Sequence, residues 1–332
     1  LPAGPDQFGI PHNHGLMSNL TLYRVGAQLL QPEWQAYAVS RAQTDVARTF
    51  DRCGLAFEQS LGYQRLNMRL WVRAGQRMGT VLVDPSTIAA GQASLAALAR
   101  PDGVLEPIGD GYPGTVAEPS GAELWCPRTG WAAGSIAGSH FTLRAGPRRW
   151  AHGHEDHGAM TWFVAGVPVL SDRGYASKLD RDSLAWSRSM SAHSVFEPSD
   201  VSKSLRTRMI RGPQFHYVLT DQQPTTSRQR TVTFGESTLD VIDAGAATDG
   251  VTPVTWTQHW QLAPGWTPDV SGTGANYTDG THVEITCDGV MPTFVPVNAY
   301  LAGGVVVPAW DAQCAVTGPT VSLHTTLTVV TP

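Results

Sequence analysis

The sequence predicts an α+β protein in which a helical segment is followed by a large antiparallel β-sandwich. Residues 1–103 contain four stretches of helical periodicity, whereas residues 104–332 contain many short apolar or alternating runs. Gly, Pro, Asp and Asn bound those runs and no helical pattern interrupts them, which is typical of antiparallel sheets packed face to face. A chain of 332 residues with 42% apolar content can form two domains, so we place the boundary between residues 103 and 104.

The first helix is expected in HGLMSNLTLYRVGAQLL, because apolar residues recur there near one helical face. Those residues are Leu16, Leu20, Val25 and Leu29. A second helix should begin at Pro32, since proline is tolerated at the first helical position, and should run towards Gly54. Two of the four helices therefore precede residue 55.

The third helix is expected in SLGYQRLNMRLWVRAGQRM, with Leu66 and Leu70 on its apolar side. The fourth has Asp84 as its N-cap and Pro85 at its first position, and it ends before Pro101. After the fourth helix, the residue pattern changes from helical to strand-like.

Composition and charge exclude two classes of partner. The net charge is −5, whereas nucleic-acid binding is indicated by a basic charge balance. No apolar run approaches the roughly 20 residues needed to cross a membrane. The positive charge is almost all arginine, since Lys178 and Lys203 are the only lysines. Arginine's planar fork suits carboxylates and sulfates, so acidic substrates remain open.

The four cysteines have no zinc-ribbon spacing. They are Cys53, Cys126, Cys287 and Cys314. The last two both fall in the strand-rich end and are candidates for a disulfide, which an oxidising compartment would favour. The chain carries neither a signal peptide nor an initiator methionine, so we expect a processed or excised piece.

A histidine-rich stretch, HGHEDH, lies between the helical and the strand-rich parts. It contains His152, His154, Asp156 and His157. Histidines are common metal ligands, and carboxylates near them either bind the metal or orient the imidazoles. The following MTWFVAGVPVLSD reads as a hairpin that turns at residues 165–166, which would return Asp172 beside the histidines.

A second strand could complete a metal site. His193 opens a strand about twenty residues past Asp172. With His154 these residues would form a His₂Asp set that leaves room for a fourth ligand, an arrangement that suits zinc.

Two further clusters have both a functional and a structural interpretation. Asn13 and His14 could direct neutral donors into a cleft at a helix N-terminus, or Asn13 could simply cap the helix beside a solvated His14. Tyr63, close to Arg65 and Arg69, could transfer protons or could pack on an amphipathic helix. Each cluster alone favours the structural interpretation.

Taken in order, the clusters resemble the motifs of the heparinase II/III-like polysaccharide lyases, which include alginate lyases of the same build. The matching residues are Asn13-His14, Tyr63 in EQSLGY, His152 to Asp156, Asp172-Arg173-Gly174 with Tyr175, and His193 in SMSAHS. The resemblance covers about residues 8 to 200. It implies a partial (α/α) toroid in residues 1–103, ahead of the antiparallel β-sandwich in residues 104–332.

The resemblance also implies a role for each site. Asn13 and His14 would neutralise a uronate carboxylate, while Tyr63 would act as the catalytic acid, and in one version also as the base, with His152 as its partner. His154, Asp172 and His193 would hold one structural Zn²⁺, and Asp156 would orient a histidine from a second shell. The substrate-binding candidates are Glu58, Gln59, Arg65, Arg149, Tyr175 and Arg188.

The function implied is β-elimination on a uronic-acid-containing polysaccharide by a secreted or periplasmic lyase. One departure is that the family's toroid has more than four helices, so upstream helices were removed, belong to a separate piece of the same precursor, or are absent. Two alternatives remain. One is a metallo-β-lactamase-like zinc hydrolase that uses HGHEDH, with His216, Asp240 and His259 as further ligands; the other is a non-catalytic carbohydrate-binding sandwich.

Overall fold

The computed structural model describes residues 13–146, 152–202 and 204–332. Four helices come first and pack against one end of a two-sheet β-structure. This order confirms the α+β class and the antiparallel sandwich. The partial (α/α) toroid remains a prediction that is based on the family resemblance.

The four helices lie close to where the sequence places them. They are α1 (Asn13–Gln28), α2 (Pro32–Thr49), α3 (Leu61–Arg77) and α4 (Pro85–Leu98). Asp84 caps α4, because its side chain accepts a hydrogen bond from Ser86 N and satisfies one of the free amides of the first turn. None of the described helices is long and apolar enough to cross a bilayer.

The buried faces of α1 and α3 differ from the predicted ones. Leu29 lies beyond the end of α1 and is 57% exposed. Leu66 and Leu70 are only half-buried on α3. The buried side chains of α3 are Leu61, Gln64, Asn67, Trp71 and Ala74, two of them polar. The spacing of apolar residues did not predict the buried face of α3, because Gln64 and Asn67 point inward and bond buried polar groups.

The first sheet has nine antiparallel strands. They are β1 (Leu124–Cys126), β2 (Trp131–Ile136), β3 (Ser139–Arg144), β4 (Met160–Val164), β5 (Val167–Leu170), β6 (Phe196–Pro198), β11 (Val254–Leu262), β15 (Thr293–Tyr300) and β16 (Val306–Gly318). Their order is β1-β2-β3-β4-β5-β11-β16-β15, with β6 paired to β11. A short helix, α5 (Arg181–Ser187), and a 3₁₀ turn (Met190–Ala192) interrupt the chain between β5 and β6.

The second sheet has eight antiparallel strands. They are β7 (Arg206–Arg211), β8 (His216–Gln222), β9 (Thr226–Phe234), β10 (Thr238–Ala247), β12 (Thr267–Pro268), β13 (Gly274–Asn276), β14 (His282–Cys287) and β17 (Thr320–Val330). Their order is β12-β13-β14-β17-β10-β9-β8-β7. Burial alternates along β10 and β17, as expected for strands with one face on a core.

The main core lies between the two sheets. Phe141, Trp162 and Trp260 of the first sheet belong to one buried cluster with Tyr217 and Leu327 of the second. Burial of each large apolar side chain stabilises the fold by about 1.5–3 kcal/mol. This core holds rigid the first sheet, whose connecting loops carry the histidine-rich stretch.

The helices and the first sheet share a second core. Leu61 and Leu98 pack with Leu105 and with Trp131 of β2. The predicted domain boundary at residues 103–104 falls in the irregular segment between α4 and β1. This segment crosses the junction and places the loop around residue 110 beside the first turn of α3.

Two disulfides tie the layers together. Cys287–Cys314 links β14 of the second sheet to β16 of the first, which confirms the predicted pair. Cys53–Cys126 joins the loop before α3 to β1 and was not predicted. In a chain-entropy account, a crosslink over 73 residues stabilises the fold by about 4 kcal/mol.

Candidate functional site

Loops from both parts of the molecule meet at the junction of helices and sandwich. The first turn of α3 brings Tyr63, and the histidine-rich stretch brings His152. Their rings are stacked, with centroids 3.4 Å apart and planes at 14°. The structure therefore brings together two residues that are 89 positions apart in the sequence.

The buried carboxylate of Glu58 bonds the His152 ring. His152 Nδ1 lies 2.5 Å from Glu58 Oε2, and Asn67 Nδ2 donates to Glu58 Oε1 at 2.7 Å. The Glu58 side chain is 1% exposed, whereas that of His152 is 12% exposed. This bonding fixes the imidazole with Nδ1 towards Glu58 and leaves Nε2 as its other ring nitrogen.

The backbone before α3 makes this arrangement possible. Gln59 has a φ of 58°, a left-handed conformation that a non-glycine residue rarely adopts. The turn lets Glu58 face His152, while the next residue, Ser60, caps α3 by accepting a hydrogen bond from Tyr63 N at 3.1 Å. Strained backbone of this kind concentrates at functional sites.

A glycine-rich loop packs against the same helix start. Gly109 has a φ of 75°, and a Cβ there would lie 2.7 Å from Ser60 Cβ. A Cβ on Gly62 would lie 3.0 Å from Tyr112 N. Close approach of the two backbones thus requires both glycines, and it fixes Asp110 next to Tyr63.

The environment of Tyr63 keeps its hydroxyl protonated. Partial burial raises the pKa of Tyr63 above its usual value, and the nearby carboxylates of Asp110 and Glu58 raise it further. The Arg188 guanidinium lowers it by a smaller amount. At neutral pH, Tyr63 is consequently a proton donor.

A second cluster lies behind the first, on the sandwich side. His154, Asp172 and His193 are all buried, and one potential ligand atom from each lies within 4.8 Å of the others. His193 Nδ1 bonds Asp172 Oδ2 at 2.8 Å, and the two imidazole centroids are 5.2 Å apart. The structure thus groups the three predicted metal ligands.

The predicted hairpin positions Asp172. Strands β4 and β5 pair across a turn at Ala165 and Gly166, both of which have positive φ as a tight hairpin requires. After β5, Asp172 Oδ1 accepts a hydrogen bond from Gly174 N at 3.0 Å, which fixes the carboxylate. His193 follows the 3₁₀ turn on the other side of the cluster.

The donor set fits a zinc ion. His154 Nδ1 and His193 Nε2 are buried without a hydrogen-bond partner in the described structure. Two neutral imidazoles and one carboxylate are ligands that zinc favours. Desolvation by burial lowers the pKa of His154 and favours its neutral form, whereas at His193 the Asp172 carboxylate outweighs desolvation and raises the pKa. Burial without a partner is costly for polar nitrogens, and a bound cation would satisfy both.

Asp110, which sequence reasoning missed, connects the two clusters. Its Oδ1 lies 3.1 Å from His154 Nε2, and its backbone N donates to His152 O at 2.9 Å. Arg188 forms a two-pronged ion pair with the same carboxylate. The only sequence signal was an aspartate between two glycines in GDGYP.

Tyrosines border the open side of the site. The Arg188 guanidinium lies 5.8 Å from the centre of the Tyr175 ring, and Tyr112 Oη donates to Tyr175 O at 3.1 Å. Burial raises the pKa of Tyr175, as do Asp110 and, by a smaller amount, Tyr63. Tyr175 therefore lies close enough to Tyr63, Asp110 and Arg188 to interact with their charges.

Solved structures share this architecture over nearly the whole chain. A heparinase III aligns over 96% of the chain with a TM-score of 0.73 and 15% identity. The heparan sulfate lyase HepC from Pedobacter heparinus aligns over 96% with a TM-score of 0.74 and 16% identity. The chain has the heparinase III fold.

The chain spans about 60% of the length of those two structures. No protein-family model and no curated protein sequence matches it. The heparinase III fold is therefore shared with proteins that differ from this chain at most positions, and assignment of chemistry depends on the site itself.

Some predicted residues take positions behind Tyr63 and His152. Glu58 and Gln59 are both 1% exposed, and the Glu58 carboxylate already bonds His152 and Asn67. Substrate contact by either remains a prediction, and their burial favours a supporting role instead. Arg149 lies outside the described residues.

The arginine candidates are engaged in different ways. Arg65 Nη1 donates to Pro113 O at 2.6 Å and to Thr115 O at 2.9 Å, on another face of α3 from Tyr63. Arg188 stays within the site, where its charge is paired with Asp110. Substrate binding by Arg65 and Arg188 remains a prediction.

Asn13 and His14 form the first turn of α1, which packs on α2 and α3. Asn13 Oδ1 is buried without a hydrogen-bond partner in the described structure, while His14 is exposed. Their approach to Tyr63 remains a prediction, supported by the packing of α1 on the helix that carries it.

Asp156 pairs with an arginine instead of bonding a histidine. Its Oδ1 lies 3.3 Å from Arg144 Nη2, and neither of its oxygens accepts a hydrogen bond among the described residues. The predicted hydrogen-bonding role towards a histidine is filled by Asp110 for His154. Asp156 influences His154 and His193 through its charge.

The ligands expected for a two-zinc hydrolase lie apart. His157 Nδ1 accepts from Gly146 N at 2.7 Å, and His259 lies between Asp311 and Glu197. His216 bonds Thr233 on the second sheet. Asp240 lies on the same sheet and pairs with His324. Within the described ranges, the histidine-containing metal cluster is the one formed by His154, Asp172 and His193.

Proposed function

We propose that the protein is a polysaccharide lyase that cleaves a uronic-acid-containing polysaccharide by β-elimination. The observation that carries the proposal is the stack of Tyr63 on His152, with His152 bonded to buried Glu58, in the heparinase III fold. A proton donor and a proton acceptor thereby share one site that is open on the side of Tyr175.

His152 is the better base of the pair. Its Nδ1 faces the Glu58 carboxylate, so the neutral tautomer with Nδ1–H donating to Glu58 leaves a lone pair on Nε2. That nitrogen takes the proton from C5 of the uronate, and the electron pair of the broken C–H bond forms the C4–C5 double bond. Glu58 stabilises the imidazolium that results.

Tyr63 is the acid. Its raised pKa keeps the phenol protonated at neutral pH, so it can donate to the C4 oxygen as the C4–O4 bond breaks. One proton leaves the sugar and one enters the departing alcohol, which balances the step. Each positioned transfer contributes roughly 10²–10⁴-fold to the rate.

The C5 proton becomes acidic only if the neighbouring carboxylate is neutralised. Hydrogen-bond donors aimed at developing negative charge lower such a barrier by several kcal/mol. Asn13 and His14 at the N-terminus of α1 are the proposed donors, and the positive end of the helix dipole favours an anion there.

His154, Asp172 and His193 would hold one structural zinc. The ion would supply positive charge that joins the loop after β5 to the segment before β6. Asp110 bonds His154 and the backbone of His152, so order in the metal cluster would be transmitted to the reacting histidine.

The decisive experiment is Tyr63→Phe, assayed by ultraviolet absorbance of the conjugated double bond on alginate, glucuronan, hyaluronan and heparan-type polymers. The wild-type chain should form product on one of them, and Tyr63→Phe should lose about 10³-fold or more in kcat. Tyr37→Phe is the matched control, since Tyr37 is exposed on α2. Equal rates for wild type and Tyr63→Phe would overturn the proposal.

A secreted or periplasmic location accords with this function. Both pairs of cysteines form disulfides, and disulfides persist mainly in oxidising compartments. Detection of the oxidised chain in the periplasmic or culture fraction of the native host would test the location.

A further inference from the structure

Away from the Tyr63 site, α3 forms one wall of an open groove of about 550 Å³. The opposite wall combines Gln92 and Leu95 of α4 with residues 115–117. This volume lies within the range of small-ligand sites, about 300–1,000 Å³. The floor is apolar, from Met68, Val72 and Leu95.

Three arginines follow the groove. Arg65, Arg69 and Arg73 recur at every fourth position of α3, and all three are exposed. A rise of 1.5 Å per residue separates their backbones by about 6 Å at each step, so the row is about 12 Å long. Gln76 and Gln92 add neutral donors at its edge.

The row has no partner of opposite charge in the described structure. No acidic side chain lines the groove, and neither Arg69 nor Arg73 forms an ion pair with a residue that the structure describes. Arg65 is anchored to the opposite wall through the carbonyls of Pro113 and Thr115. Like charges spaced four residues apart destabilise a helix, so helix stability does not account for the row.

The groove is separate from the Tyr63 site. At 100° per residue, Arg65 lies about 200° around α3 from Tyr63. Tyr63 and Asn67 face His152 and Glu58, whereas the arginines face residues 115–117. A ligand in the groove would not occupy the reacting centre.

We propose that the α3 groove is a second binding site for an acidic polysaccharide, distinct from the site of cleavage. Spaced guanidinium groups match carboxylates or sulfates repeated along a chain, and the apolar floor accepts the faces of sugar rings. Nucleic acid is disfavoured, because the groove has no aromatic side chain for base stacking and the chain is net negative. The inference rests on the proposed function for its choice of polymer.

The test measures binding of short heparan sulfate, hyaluronan and alginate fragments to Tyr63→Phe protein, which leaves the polymer intact. Adding Arg69→Gln and Arg73→Gln should weaken binding about tenfold or more and reduce the salt dependence of binding by roughly one to two charges. Glutamine preserves helix propensity, and circular dichroism checks the fold.

Arg24→Gln with Arg52→Gln is the matched control, because both arginines are exposed, neither lines the groove, and the change in net charge is equal. Equal loss in both double variants would mean that binding follows net charge, and no loss in either would mean that the groove is not used. Tighter binding of a single-stranded oligonucleotide than of any polysaccharide would overturn the ligand class.

The two proposals fail separately. Product formation by the wild-type chain without a groove effect would leave the lyase and remove the second site. A groove effect without product from any polymer would leave the binding site and remove the lyase.

Discussion

His152 and His154 are two residues apart, yet they belong to opposite halves of the site. His152 is partly exposed, stacks on Tyr63 and bonds Glu58 of the helical part. His154 is fully buried and faces Asp172 and His193 of the sandwich. Residues two apart in a regular strand point to the same side. Residues 152–154 are not in a strand, so one short motif can supply both the proposed base and a proposed metal ligand.

The two histidines differ in exposure because their proposed roles need different surroundings. The base proposed at His152 must reach the substrate and exchange protons, so it needs an open edge. The structural ligand proposed at His154 must exclude competing water, so it benefits from burial. Substitutions at the two positions should accordingly change different measured quantities.

The largest expected effect separates chemistry from stability. His152→Gln should lower kcat by about 10²–10⁴-fold and leave the free energy of unfolding within about 1 kcal/mol of wild type. Polymer cleavage and urea unfolding measure the two quantities. His282→Gln on β14 is the control, since its ring is remote from the site. If His152→Gln loses stability and keeps its rate, the assignment of the two histidines is reversed.

The next largest effect is on stability instead of on rate. His193→Gln removes a buried partner of Asp172 and should destabilise the fold by about 3–5 kcal/mol. The expected metal content falls from one zinc per chain towards none, and a chelator should lower the Tm of the wild type more than that of the variant. Elemental analysis and thermal unfolding provide the readouts. An unchanged Tm in both experiments would exclude a structural metal here.

A smaller effect concerns a third histidine, His259, which is buried and lies between two carboxylates. Desolvation lowers the pKa of His259, but hydrogen bonds that its ring donates to Asp311 and Glu197 outweigh it and raise the pKa to about 9. Because the folded pKa lies above the usual 6.5, its stabilisation is complete below pH 6.5 and disappears as the pH rises towards 9. Linkage limits this contribution to at most about 3 kcal/mol.

Urea unfolding between pH 6 and 10 checks this, with His259→Gln as the comparison. The wild type should lose stability across the window, whereas His259→Gln should start lower and change less. Parallel profiles for the two proteins would show that His259 does not carry the dependence.

Local rules predicted those parts of the molecule that depend on neighbouring residues. Asp84 and Pro85 marked the start of α4, and Ala165-Gly166 marked the hairpin turn that returns Asp172 to the histidines. Each of these features is decided within a few residues of the chain.

The unpredicted parts depend on contacts distant in sequence. Asp110 acquires its role from His154 and Arg188, which lie 44 and 78 positions away. The inward polar side of α3 depends on Glu58 and the loop before it. A lone aspartate or asparagine carries no local signal of such partners, so burial of these groups could not be read from periodicity.

The Cys53–Cys126 bridge encloses α3, α4 and the loop that carries Asp110. A protease that cuts the exposed stretch between α4 and β1 would leave two fragments still covalently joined. Such a nicked molecule would migrate as one species on a gel without reductant and as two with it. Limited digestion could therefore sever the backbone at the junction while the Tyr63 and His152 rings remain on a single covalent body.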